Sequence, residues 1–73
     1  MFKEKQRVLH IIPYQGIRPA IIVETENGVA AVQDDGKKEY NYFDINTGKN
    51  IEPEFTDYIL SAGLAFKLPD RNV

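Results

Sequence analysis

The chain has 73 residues, of which 42% are hydrophobic and 27% are charged, and its formal net charge is −2. Such a chain forms one compact domain and is neither a disordered tail nor a membrane protein. It has no cysteine and a single histidine, which excludes disulfides, thiolate metal sites and multi-histidine sites. The slight acidic excess argues against nucleic acid or an anionic membrane as the partner, since proteins that bind them usually carry a basic surface.

The start of the chain has the outline of a secretory signal, because an apolar run over residues 8–12 follows several basic residues. His10 and Pro13 interrupt that run, however, and no stretch approaches the roughly 20 apolar residues of a membrane span. We therefore expect a soluble, cytoplasmic protein that makes no contact with a membrane.

The first half of the chain predicts two strands, over about residues 5–13 and 18–26. Pro13-Tyr14-Gln15-Gly16 predicts the turn between them, with Gly16 free to adopt a positive φ. Asn27-Gly28 favours a two-residue hairpin turn. That turn would pair Glu26 with Val29 and place one apolar set on the main core face: Ile21, Val23, Ala30 and Val32.

The second hairpin has two possible registers. A two-residue Asp35-Gly36 turn would put Glu39 and Asn41 on the core face, whereas a loop over residues 34–36 would put Tyr40 and Tyr42 there. Because a slip of one residue moves every side chain to the other face, burial should decide between them. We predict the three-residue loop, with both tyrosines in the core.

The third turn, over residues 46–48, would pair Phe43 with Ile51 on the face opposite the tyrosines. From Pro53 the apolar spacing changes to a helical one, carried by Phe55, Tyr58, Ile59 and Ala62. We predict a helix over residues 53–62, then a strand over 64–68 and a frayed tail. Residues 55–60 also have the composition of a strand, which would make the fold all-β.

These elements predict a mainly β fold: a small antiparallel meander curled into a barrel of about five strands, with one short helix near the C-terminus. A single domain would span residues 1–73, with an ordered core over about 5–69. The strand number and loop lengths resemble those of SH3-like and Tudor-like small barrels. That resemblance implies a fold and no function.

The sequence indicates no enzyme. His10 alternates with aliphatic residues and has no recognisable partner for acid–base chemistry, so we interpret it as structural. The stretch 44–48 resembles a calcium loop but lacks the bidentate Glu that such a loop needs. No glycine-rich phosphate loop is present, and Ser61 has no nucleophile-elbow context. We expect no cofactor, no metal and no small-molecule substrate.

The preferred hypothesis is a non-enzymatic interaction module that binds a protein partner or a copy of itself through an apolar second face. The candidate residues on that face are Ile22, Val29, Phe43 and Ile51. One alternative is a nucleic-acid-binding barrel, whose candidate residues are Lys3, Lys5, Arg7, Arg18 and Tyr14. We interpret the basic residues of strand one as a solubilising edge in preference to a binding surface. Another alternative is a small inhibitor or accessory protein of a larger enzyme, of the sort that mobile elements encode.

Overall fold

The computed structural model describes residues 2–63, which form one antiparallel sheet of five strands. The strands are β1 (Arg7–Ile12), β2 (Gly16–Glu26), β3 (Val29–Asp34), β4 (Tyr40–Asp44) and β5 (Tyr58–Ser61). Their order across the sheet is β4-β3-β2-β1-β5, and the sheet curls into a half-barrel. The coarse prediction of a curled β-meander is confirmed.

Residues 48–51 connect the two outer strands of this sheet. Asn50 forms a bridge with Phe43 of β4, and Lys49 forms one with Tyr58 of β5. The Asp44 amide donates to the Lys49 carbonyl at 2.7 Å, and the Ile59 amide donates to the Gly48 carbonyl at 2.9 Å. This connection holds β4 and β5 together across the open side of the half-barrel.

The turn that leads into this connection is stabilised by the side chain of Asp44. Its Oδ1 accepts hydrogen bonds from the backbone amides of Asn46 at 2.7 Å and Thr47 at 3.0 Å. These two amides hold the pKa of Asp44 below its ordinary value of 3.8, because they stabilise the charged carboxylate. The turn chemistry of this segment therefore depends on an ionised side chain.

Asp44 should make the stability of the protein depend on pH in the acid range. Because its pKa is lower in the folded state, its charge stabilises the fold above pH 3.8, and this contribution is lost as the pH falls through the folded pKa. We expect Asp44→Asn to lower the urea midpoint near neutral pH and to approach the wild type in acid. Glu54→Gln removes the same charge from an exposed loop and is the control. A gap between Asp44→Asn and wild type that stays constant with pH would contradict this assignment.

The first hairpins lie close to the predicted positions. Asn27 and Gly28 have φ angles of 53° and 80°, as their turn requires, and Glu26 pairs with Val29. Gly16 has a φ of 135° at the start of β2. Local turn chemistry is sufficient to specify these reversals.

The predicted core face of β2 is wrong because the strand contains a β-bulge. The register shifts between Ile22 and Glu24, so that Val23 is an extra residue with no partner on β3. From that point towards the start of β2, the inward and outward positions exchange. Ala20 and Ile22 are therefore fully buried, whereas Ile21 and Val23 are only partly buried.

The predicted phase of β4 is also wrong. Ala31 pairs with Tyr42 and Val32 pairs with Asn41, so Phe43 and Asn41 share the inner face. Tyr40 and Tyr42 each remain 46% exposed on the outer face. The Asp35-Gly36 turn does form, since the Lys37 amide donates to the Asp34 carbonyl, but the strands resume pairing only after residue 39. The larger loop leaves the fully buried Phe43 as the aromatic residue of the core.

The predicted helix over residues 53–62 is absent. Residues 53–54 form a turn, and Tyr58–Ser61 form β5, which pairs antiparallel with β1. Pairing places Ile59 in the core, where it is 1% exposed, and this tertiary contact overrides the helical spacing. Phe43 pairs with Asn50 and not, as predicted, with Ile51. The predicted strand over 64–68 and the tail lie outside the described residues.

The core lies on the concave side of the half-barrel. It consists of Val8, Ala20, Ile22, Ala30, Val32, Phe43 and Ile59, with Phe2 packed against it. All five strands contribute to it, and β2 and β3 each contribute two alternate residues, as expected for a sheet with one buried face. Within residues 2–63, no helix is long and apolar enough to cross a membrane.

Candidate functional site

His10 forms a buried polar network with two aspartates from other parts of the chain. Its Nδ1 lies 2.9 Å from Asp34 Oδ1, and its Nε2 lies 2.7 Å from Asp57 Oδ2. His10 is 3% exposed and Asp34 is 5% exposed. The three residues come from β1, the end of β3 and the loop before β5, so the network joins elements that are distant in sequence.

The remaining atoms of this network also have partners. Asp57 Oδ1 accepts a hydrogen bond from Asn50 Nδ2 at 2.9 Å, and Arg18 Nη1 lies 3.7 Å from Asp34 Oδ2. The ring of Phe43 meets the His10 ring edge-on, with centroids 5.2 Å apart. In the described part of the chain, every buried side-chain nitrogen and oxygen has a hydrogen-bond partner.

The arrangement restricts what His10 can do chemically. Ionised carboxylates only accept hydrogen bonds, so two of them around one imidazole require a donor at each ring nitrogen. Each ring nitrogen already lies within hydrogen-bond distance of a carboxylate oxygen. Neither nitrogen offers a free lone pair to a substrate or a metal ion. Residues 2–63 also contain no group of three or more His, Cys, Asp or Glu residues that could hold a metal ion.

Sequence reasoning interpreted His10 as structural but missed both of its partners. Asp34 was assigned to turn chemistry, and Asp57 was placed on a helix that does not form. The available signal was the alternation of His10 with Val8 and Ile12, which puts the ring on an inward face where a polar group needs a partner. Nothing local to His10 identifies that partner.

The structure does not bring the predicted nucleic-acid residues together. Lys5 has a φ of 71° and lies in a turn before β1, so it does not alternate with Arg7 along one strand. Tyr14 is fully exposed and follows the C-terminal end of β1. At 3.3 Å per residue, it lies about 20 Å from Arg7, which begins that strand. Lys3 is exposed in the N-terminal segment, and Arg18 is the basic residue next to Asp34.

Arg7 is paired with a carboxylate. Its guanidinium donates to both carboxylate oxygens of Asp35, at 3.1 and 2.6 Å. These hydrogen bonds lower the pKa of Asp35 and raise the pKa of Arg7, since each charge stabilises the other. Both side chains are about half exposed, so the pair orients Arg7 more than it stabilises the fold.

The predicted protein-binding residues do not form one surface. Ile22 and Phe43 are fully buried in the core, which corrects the predicted surface. Val29 is partly buried on the outer face of β3, and Ile51 is 46% exposed beyond β4. The reversed phases of β2 and β4 explain the difference, because they exchange the inner and outer residues of both strands.

Two other surfaces have a distinct chemistry, and the first is a groove on the outer face of β2, β3 and β4. We call it the acidic–aromatic groove; it is lined by Glu24, Glu26, Asn27, Val29, Ala31, Tyr40 and Tyr42. Its volume is about 500 Å³. Ala31 lies between its neighbours Glu24 and Tyr42 in one cross-strand row, and the small methyl group leaves space between the two longer side chains.

The second surface lies on the outer face of β5, β1 and β2. We call it the apolar outer face; its residues are Leu9, Ile11, Ile17, Pro19, Tyr58 and Leu60. One row joins Leu60, Leu9 and Pro19, and the next joins Tyr58, Ile11 and Ile17. Ile17 is 62% exposed and Leu60 is 44% exposed. None of the six side chains is charged.

A further cavity, of about 530 Å³, lies between residues 47–50 and 53–60. Asp57 lines it, but Asp57 Oδ2 is already hydrogen-bonded to His10 and Asp57 Oδ1 already accepts a hydrogen bond from Asn50. The contacts of Asp57 within the protein therefore hold its carboxylate in place at the wall of this cavity.

Comparisons with known proteins add no functional assignment to this geometry. No protein-family model matches the chain, and no curated protein or solved structure matches it either.

Proposed function

We propose that this chain is a non-enzymatic interaction module that self-associates through the apolar outer face. The observation that carries the proposal is the position of six uncharged, mostly aliphatic side chains on three adjacent strands, pointing away from the core. Monomeric proteins rarely expose contiguous apolar patches beyond a few hundred Å². A second copy of the chain would remove this surface from water.

A copy of the chain is the occupant that the chemistry of this face favours. A two-fold interface presents the same patch from both partners, so it must be self-complementary. Two copies of a patch without charges can face each other without placing like charges together. A charged patch would have to place each positive group opposite a negative group of the other copy. Arg7 and Asp35, which are paired with each other, lie beyond the Leu9 row and need no partner across the interface.

The interface should be small and the dimer correspondingly weak. Two rows on three strands provide less than the roughly 800 Å² per partner of a standard interface. Burying an exposed Ile or Leu side chain contributes about 1.5–3 kcal/mol if its burial is complete. We therefore expect association in the micromolar range or weaker.

Sedimentation equilibrium over a range of concentrations tests this proposal. The average mass of the wild type should rise with concentration, and Leu60→Lys should weaken association by about tenfold or more, because it places a charge inside an apolar interface. Ile51→Lys is the matched control, since Ile51 is equally exposed but lies off this face. A wild type that stays monomeric at every concentration would refute the proposal, as would an equal effect of both variants.

The absence of catalysis is part of the proposal. It is supported by the His10 network, in which both ring nitrogens are occupied by carboxylates. General acid–base catalysis needs a group within hydrogen-bond reach of the substrate proton. His10 is buried and already bonded on both sides, so this geometry gives it no such access.

The nucleic-acid alternative has weaker support, because Arg7 and Arg18 already lie beside carboxylates. It predicts salt-dependent binding of nucleic acid that weakens when Lys5 and Arg7 are replaced by Ala. A titration with nucleic acid at low salt that shows no binding would exclude it. A larger enzyme that this chain inhibits or assists could also occupy the apolar outer face. The resemblance to SH3-like and Tudor-like barrels and the cytoplasmic location remain predictions.

A further inference from the structure

We infer that the acidic–aromatic groove binds cationic side chains of an extended basic peptide segment. Its two sides differ in chemistry: Glu24 and Glu26 come from β2, and Tyr40 and Tyr42 come from β4. Val29 and Ala31 of β3 form the floor between them. A carboxylate side, an aromatic side and an apolar floor together match the parts of a lysine or arginine side chain.

The charge of the groove indicates the sign of the ligand. Glu24 and Glu26 form no salt bridge with any residue among 2–63, so neither carboxylate has a cation in the described structure. Asp44 follows Glu26 and Val29 in the same cross-strand row and adds a third negative charge nearby. This local potential attracts cations and repels phosphate groups, so nucleic acid is not the ligand of this surface.

The aromatic side adds recognition that carboxylates alone lack. A cation over the face of a tyrosine ring gains about 0.5–1 kcal/mol at an exposed site. Tyr40 and Tyr42 are each 46% exposed, so their rings are accessible to a ligand. The aliphatic stems of Lys and Arg pack on apolar surface while their charged ends stay in polar surroundings, which suits the floor of Val29 and Ala31.

An extended peptide fits the geometry better than a single free cation. Residues two apart on β3 are about 6.6 Å from each other, which equals the spacing of alternate side chains in an extended ligand. The lining residues Glu24 and Glu26, and likewise Tyr40 and Tyr42, are also two apart. A neutral apolar peptide would instead bury the two carboxylates without a partner, which is unfavourable.

This inference is independent of the proposed self-association. The groove uses the far end of β2 together with β3 and β4, whereas the apolar outer face uses the first part of β2 together with β1 and β5. The binding experiment can therefore use Leu60→Lys as its background, which weakens self-association if the dimer proposal is right. Binding by that variant would support the groove whether or not the wild type dimerises.

The test uses fluorescein-labelled hexaarginine and hexalysine peptides, with hexaglutamate as the opposite charge, and fluorescence anisotropy as the readout. We expect binding of both cationic peptides at low salt and none of hexaglutamate. E24Q/E26Q should weaken binding by about tenfold, since two ion pairs are lost at up to about 1 kcal/mol each. E52Q/E54Q is the matched control, because it removes the same charge from an exposed turn and should change binding less than twofold.

The tyrosine variants separate a cation–π contact from general electrostatics. Tyr42→Phe keeps the ring and should retain binding within about twofold, whereas Tyr42→Leu, which lacks the ring, should bind about threefold more weakly than Tyr42→Phe. Backbone NMR shifts on titration should concentrate at Val29 and Ala31. Equal weakening by E24Q/E26Q and E52Q/E54Q would overturn the inference, because binding would then follow net charge alone. The inference would also be overturned if hexaarginine or hexalysine failed to bind.

Discussion

Replacing His10 with alanine should remove a large part of this protein's stability. Removing the ring would take from Asp34, which is 5% exposed, its hydrogen-bonded partner His10. It would also take one hydrogen bond from Asp57. Breaking a buried ion pair by deleting one partner typically costs about 3–5 kcal/mol. At roughly 0.05–0.15 kcal/mol per residue, a chain of this length has about 4–11 kcal/mol in total.

Urea denaturation followed by circular dichroism measures this effect, and an apolar double variant tests its cause. His10→Leu combined with Asp34→Leu should be more stable than His10→Ala alone, because an apolar pair of similar volume leaves no buried charge without a partner. Glu52→Gln, a charge change in an exposed turn, should leave stability within about 0.5 kcal/mol of wild type. A His10→Ala protein within about 1 kcal/mol of wild type would contradict this account of the network.

Gly48→Ala should also be strongly destabilising, and for a reason that ordinary glycine strain does not explain. Gly48 has a φ of +80°, and a Cβ at this position would lie 2.7 Å from the carbonyl oxygen of Ile59. Since the Ile59 amide also donates to the Gly48 carbonyl, moving one backbone away from the other would break the connection between β4 and β5. We expect a loss of about 2–5 kcal/mol, the sum of left-handed backbone strain and steric overlap.

Gly36→Ala is the matched control for this prediction. Gly36 has nearly the same φ, +81°, but a Cβ there would meet no atom within 4 Å. It should cost only the backbone term of about 1–2 kcal/mol. Equal urea midpoints for the two variants would show that the contact with Ile59 is unimportant. Phe2→Ala should not rescue Gly48→Ala, because the nearest atom belongs to the backbone and not to the Phe2 ring.

The parts of the fold that could be predicted are those set by local turn chemistry. Asn27-Gly28 specified the β2–β3 hairpin, because its positive φ angles suit few other residues. The phase of β2 could not be predicted in the same way. The bulge at Val23 depends on pairing with β3, and no residue type in the sequence marks it.

The helix over 53–62 failed because its competitor is distant in sequence. Tyr58 and Ile59 satisfy a helical spacing, but β1 offers them a free edge nearly 50 residues earlier in the chain. Pairing there buries Ile59 beside His10, which an isolated helix would not achieve. Short apolar segments of this kind take the structure that tertiary contacts provide.

The two candidate surfaces consist mostly of residues other than those predicted from the sequence. The sequence indicated apolar residues on both faces of the meander, and β1 does carry them, with Val8 inward and Leu9 and Ile11 outward. The acidic–aromatic groove was missed because Tyr40 and Tyr42 were assigned to the core. An error of one residue in the register of β4 was enough to place two exposed tyrosines in the core.

The connection formed by residues 48–51 has a consequence for how copies of this chain can meet. Exposed strand edges template fibre growth, because their free amides and carbonyls pair with another molecule in an open-ended series. Here Gly48, Lys49 and Asn50 already occupy hydrogen-bonding positions along β4 and β5. In the proposed dimer, contact between copies would therefore lie on the broad side of the sheet, where a pair closes on itself.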